Sequence, residues 1–125
     1  MKYFAILLLG FLSFSLFAQN SAQELYETAQ IYEERGEFET ALEKYIGAND
    51  KKSDFKNTTY KIKLLQLAAG VDRSSDLSEL FELKEKQTED DEMYLLHLGR
   101  IYDQRYDFRK ALENWEAFLN SAFNL

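Results

Sequence analysis

Cysteine and proline are missing from the 125 residues, glycine occurs five times and histidine once. Without cysteine there can be no disulfide, so a stable domain must come from packing alone. The cysteine that a bacterial lipoprotein acylates is missing too, which excludes that route. His97 on its own cannot complete a catalytic triad or a His/Cys metal site within one chain. No glycine-rich phosphate loop and no nucleophile motif occurs. The expectation is a protein that is not an enzyme and has no cofactor and no catalytic or metal site. His97 itself is expected at a surface or in a groove.

Excess positive charge is also lacking. The chain carries 15 basic and 22 acidic residues, net −7. Such a surface repels phosphate backbones and anionic lipid, so no nucleic-acid partner and no membrane contact through the folded part are expected. The first twenty residues, MKYFAILLLGFLSFSLFAQN, differ from the rest. Lys2 is their only charge, and an apolar run from Tyr3 to Ala18 is interrupted by Gly10, Ser13 and Ser15. This has the build of a signal peptide, residues 1–18, cleaved after Ala18. The mature chain, 19–125, would then be exported, to the periplasm in a double-membraned bacterium. It would carry 14 basic against 22 acidic residues, net −8. The alternative is a membrane-tethered accessory subunit of an envelope complex that retains residues 3–18 as an anchor, although that run is short for a bilayer.

Beyond residue 20, apolar residues recur at helical spacing, as in Leu25, Ala29, Tyr32 and in Leu95, Leu98, Tyr102. Breaks fall at Gly36, 50–54, 70–75, 87–88 and 105–107. Six helices are expected, at about 21–35, 38–49, 54–69, 74–86, 89–104 and 108–122. Asp54 and Ser74 are candidate N-caps, and Thr88 with Asp91 has the spacing of a capping box. The acids of EDDE, 89–92, are then read as a first helical turn that suits the helix dipole. They lack the alternation and turn glycine of a calcium loop. NTT at 57–59 matches a glycosylation acceptor by chance.

The stretch YEERGEFETALEKY, 32–45, returns seventy residues later as YDQRYDFRKALENW, 102–115. A middle copy fits the same register. Leu25, Tyr60 and Leu95 correspond, then Ala29, Leu64 and Gly99, then Tyr32, Leu67 and Tyr102. In the second helix of each pair, Tyr45, Leu80 and Trp115 correspond, as do Ala48, Leu83 and Phe118. Every member is apolar or small, which argues for three helix pairs.

These residues resemble the tetratricopeptide repeat family across about residues 22–120. The first copy carries Leu25, Ala29, Tyr32, Gly36, Phe38, Ala41, Tyr45 and Ala48. The third carries Leu95, Leu98-Gly99, Tyr102, Phe108, Ala111 and Trp115. The resemblance implies an all-α fold, an α-α superhelix (solenoid) of three helix-turn-helix repeats at about 22–55, 57–88 and 92–125. The middle repeat is degenerate, with Arg73 and Asp76 where the others have Phe and Ala, so its second helix should pack loosely or start late. Tyr106 stands in place of the turn glycine in the third copy.

The resemblance further implies a protein partner, bound as a peptide or helix along a concave face. The matching positions are Gln23, Tyr26, Gln30 and Glu33, then Lys61 and Leu65 with Thr58 and Ala68, then Met93, Leu96, Arg100 and Asp103. Apolar contact would supply affinity, and Lys61 or Arg100 direction. The other reading of Leu65, Leu96 and Met93 is packing against neighbouring helices. The carboxylate clamp of chaperone-tail receptors is missing, since Tyr26, Gln30, Ile62, Met93 and His97 occupy its positions. The last helix carries Trp115, Phe118, Leu119 and Phe123; those beyond the needs of its own core would form an interface, with a homodimer or another exported protein as partner.

Overall fold

The computed structural model describes residues 21–124, and among them there are six helices and no strand. The leader expected at 1–18 lies outside the described residues. The helices are α1 (21–34), α2 (Phe38–Lys51), α3 (Thr58–Ala68), α4 (Ser78–Glu85), α5 (Tyr94–Gln104) and α6 (Phe108–Phe123). The all-α expectation therefore stands. The chain divides into two compact units, one through Thr58 and one from Thr59 onward.

In the first unit the α1–α2 turn closes on Gly36, whose φ is 81°. The Gly36 N–H donates to the Glu33 carbonyl and the Glu37 N–H to the Tyr32 carbonyl, which satisfies two orphan acceptors at the end of α1. Alanines at 22, 29, 41 and 48 are fully buried, and such small side chains allow close packing of a helix pair. Around them Tyr26 meets Tyr45 and Phe55 edge to face, with ring centroids 5.6 and 5.9 Å apart. Edge-to-face pairs of this kind add about 0.5–1.5 kcal/mol beyond their burial.

α3 starts at Thr58 rather than near 54, and Asp54 does not cap it. The Asn49 side chain competes successfully: its Oδ1 accepts from the Asp54 N–H at 2.7 Å and from the Thr58 hydroxyl at 3.1 Å. This pins the 52–57 turn, with Asp54 and Lys56 at φ 51° and 54°.

The second unit is built on Tyr60, Leu64, Leu67 and Ala68 of α3, Leu80 of α4 with Leu77 before it, and Leu98 and Ile101 of α5. α4 starts at Ser78, later than the expected 74. Ser74 is not its cap. The Asp76 carboxylate accepts from the Ser78 N–H at 2.9 Å and from the Ser78 hydroxyl. These two bonds hold the Asp76 carboxyl below its usual range, and Arg105 adds to the effect. Arg105 also donates to the carbonyls of Ser75 and Asp72 and so holds the preceding loop.

α5 starts at Tyr94, so the capping box expected from Thr88 and Asp91 does not form at its first turn. The α5–α6 turn repeats the first one. The Tyr106 N–H donates to the Asp103 carbonyl, and the Asp107 N–H to the Tyr102 carbonyl. Tyr106 sits at φ 62° where Gly36 sits at 81°. Gly70, at φ 93°, closes α3 in the same manner through Leu67, while Val71 reaches Gln66. The left-handed position thus recurs at 36, 70 and 106, although at 106 an aromatic residue fills it.

A non-glycine residue there carries about 1 kcal/mol of backbone strain. Tyr106 is mostly exposed and touches Phe108 edge-on. Tyr106→Gly should therefore raise stability by about 0.5–1 kcal/mol, read as a higher denaturant midpoint. Gly36→Ala should lower it by about 1 kcal/mol, although its Cβ would meet nothing within 4 Å. Equal signs for the two would show that φ is not what matters at this position.

Candidate interaction site

On α1 the four residues expected along one open face divide by burial. Gln30 is exposed and Gln23 half-buried, with its amide on Glu27 at 2.6 Å. Tyr26 and Glu33 are buried. The Tyr26 hydroxyl donates to Asn57 Oδ1 at 2.7 Å, and Lys56 Nζ lies 5.0 Å from its ring centre. Glu33 accepts from the Tyr45 hydroxyl at 2.7 Å. Both side chains are therefore hydrogen-bonded inside the first unit. Asn57, the acceptor residue of NTT, is engaged by the same Tyr26 bond.

In the second unit Lys61, Leu65 and Ala68 are also buried, as is Thr58 at the end of the first. Lys61 Nζ lies 2.9 Å from Asp91 Oδ2, and the Tyr60 hydroxyl donates to that same oxygen at 2.8 Å. The other Asp91 oxygen accepts from the Met93 N–H at 3.1 Å. Asp91 thus ties α3 to the start of α5, and its position between two elements is the reason EDDE is no helical first turn. Sequence spacing showed four adjacent acids; only the fold singles out the third. Lys61, expected to orient a partner, is committed to this pair.

Met93 and Leu96 are half-buried. The Leu96 carbonyl accepts from Trp115 Nε1 at 3.3 Å. His97 is fully buried, against the expectation of a surface position. Arg100, half-buried, has Nη1 2.8 Å from His97 Nδ1. A guanidinium has only donors, so Nδ1 is the acceptor and the imidazole proton sits on Nε2. Asp103 is exposed. Of the ten residues, Gln30 and Asp103 are exposed, Gln23, Met93, Leu96 and Arg100 half-buried, and Tyr26, Glu33, Lys61 and Leu65 inside.

α6 presents a different picture. Asp107 caps it through the Lys110 N–H at 3.3 Å, and Ala111 faces the core. Trp115 and Phe118 are half-buried against their own unit, while Leu119 and Phe123 are 46% and 67% exposed. Phe108 and Leu112, which sequence reasoning left out of the interface, are 60% and 56% exposed. At about 100° per residue, positions 108, 112, 119 and 123 fall within about 60° of one another. They form one apolar stripe beside the core-facing side, and it could have been found from their i, i+4, i+11, i+15 spacing.

Leu77, Leu80 and Leu83 belong to the same cluster as Tyr94, Leu98, Ile101 and Tyr102 of α5. In the register of the sequence repeat the first of these matches Leu112, which is open.

Among the described residues no group of three or more His, Asp or Glu side chains could hold a metal ion, and no helix is long and apolar enough to cross a membrane. In comparisons with known proteins, no family model, no curated protein and no solved structure matches the chain.

Proposed function

We propose that the protein is a non-enzymatic binding or assembly module, a tetratricopeptide-type solenoid of three helix pairs that works in an exported compartment. The observation that carries the binding role is the open stripe Phe108, Leu112, Leu119 and Phe123 on α6. The largest apolar patches on folded proteins are often functional, and those beyond a few hundred Å² mark interaction sites. The solenoid reading rests on the left-handed closures at Gly36, Gly70 and Tyr106 and on the repeated YEERGEFETALEKY pattern. Export rests on the leader-like composition of residues 1–18, with N-terminal sequencing as its check: a start at Gln19 supports it, an intact Met1 the tethered alternative.

The partner surface in this reading is α6 rather than the α1, α3 and α5 positions, several of which are buried. Affinity capture with the tagged full chain, followed by mass spectrometry, tests it. Proteins retained by the wild type should be lost with Leu112→Asp/Leu119→Asp. Identical capture by both would remove α6 from the binding role.

A further inference from the structure

We infer that the occupant of the α6 stripe is the α6 of a second copy, packed antiparallel about a two-fold axis between Trp115 and Glu116. This rests on the reading of α6 as the binding surface and names its partner.

The stripe is a palindrome in residue type and spacing: Phe108, four residues to Leu112, seven to Leu119, four to Phe123. Turned end for end, it reads the same. An antiparallel copy therefore places Phe108 opposite Phe123 and Leu112 opposite Leu119 along about 22 Å of helix. That is the self-complementarity an isologous interface requires.

Charge favours the same orientation. At the end where its own dipole is positive α6 carries Arg109, about 70° from the centre of the stripe and paired with Glu113, while Lys110 lies on the opposite side and the last turn carries no basic residue. Antiparallel pairing sets Arg109 toward the other copy's C-terminal carbonyls, the negative end of its dipole. A parallel pair would instead bring the two Arg109 cations together at two positive helix ends.

The area sets the strength. From exposures of 46–67%, the four side chains offer roughly 400 Å² per copy, taking about 200 Å² for a whole aromatic side chain. Two copies would bury roughly 800 Å², and about 1,000 Å² with the flanking residues, below the standard range and in the class of weak, transient contacts. The dimer should be reversible, with a dissociation constant on the order of 10 μM to 100 μM.

Sedimentation velocity on the full chain, from about 1 to about 500 μM, brackets that range. The wild type should shift from monomer to dimer. Leu112→Lys and Leu119→Asp, each at an exposed position, should each stay monomeric while keeping the wild-type helical spectrum and melting. Mixed together, the two variants should associate again, because the introduced lysine of one would face the introduced aspartate of the other only in the antiparallel register. A wild type that remains monomeric throughout overturns the inference, and so does a mixture that fails to associate. A monomeric wild type that still captures other proteins through α6 would overturn the second copy as occupant and leave the binding role standing. Monomer and no α6-dependent capture would remove both.

Discussion

Gly99→Ala should lower stability by about 2 kcal/mol, or roughly 10 °C in the melting midpoint of a domain this size. In most helix interiors the same change is favourable by about 1 kcal/mol, since alanine has the higher propensity. At Gly99 the new Cβ would lie 2.3 Å from Trp115 Nε1 and 2.4 Å from Cδ1. The indole would have to move out and give up its bond to the Leu96 carbonyl. Overpacking of this kind costs about 1–3 kcal/mol, and the lost bond about 1 kcal/mol more. Gly47→Ala is the internal control. It lies inside α2, its Cβ would meet Leu25 at 3.4 Å, an ordinary contact, and it should raise stability by up to about 1 kcal/mol.

The first copy indicates the cure. Where the third has Gly99 and Trp115, the first has Ala29 and Tyr45, both buried. Small with large and medium with medium are two ways to fill corresponding space. Trp115→Tyr alone should cost about 1 kcal/mol for the lost N–H bond and packing. The double variant Gly99→Ala/Trp115→Tyr should be more stable than the sum of its parts by at least about 1 kcal/mol in a double-mutant cycle. Strict additivity would show that the two positions are not coupled.

Asp91→Ala should cost about 3 kcal/mol, the second large effect. It removes the acceptor shared by Tyr60 and Lys61 and the one used by the Met93 N–H. Hydrogen bonds to a charged group contribute about 1.5–3 kcal/mol each, and three on one carboxylate are not additive. Both side chains of the ion pair are at most 10% exposed, so added salt should screen little of the loss. Glu89, Asp90 and Glu92 are exposed, and alanine at any of them should change stability by no more than about 0.5 kcal/mol. Chemical denaturation of the four variants checks this. Equal effects at all four would return EDDE to an undifferentiated acidic surface.

The helical class and the turn positions near 36, 70 and 106 were legible because both are local. Helical periodicity reports a buried face, and a left-handed closure needs glycine or a tolerated substitute. Helix starts were less legible, since each depended on a competitor elsewhere: Asn49 for α3, Asp76 for α4, Asp91 before α5. Which of the ten face residues are buried was not legible for the same reason. Their spacing marks one side of a helix, and spacing cannot tell an open side from one engaged by Tyr45 or Asp91. The α6 stripe was half legible. Leu119 and Phe123 stand out near the end of the chain, whereas Phe108 reads as cover for the turn, which hides its alignment with Leu112.

The sequence by itself determined that this protein is helical, free of disulfides and acidic, because composition and periodicity are properties of the chain alone. Tertiary structure decided which polar side chains are spent internally and which apolar ones remain outside. Lys61, Glu33 and His97 went in, where buried polar groups must find partners. Phe108, Leu112, Leu119 and Phe123 stayed out, since α6 can turn only one side toward its own core.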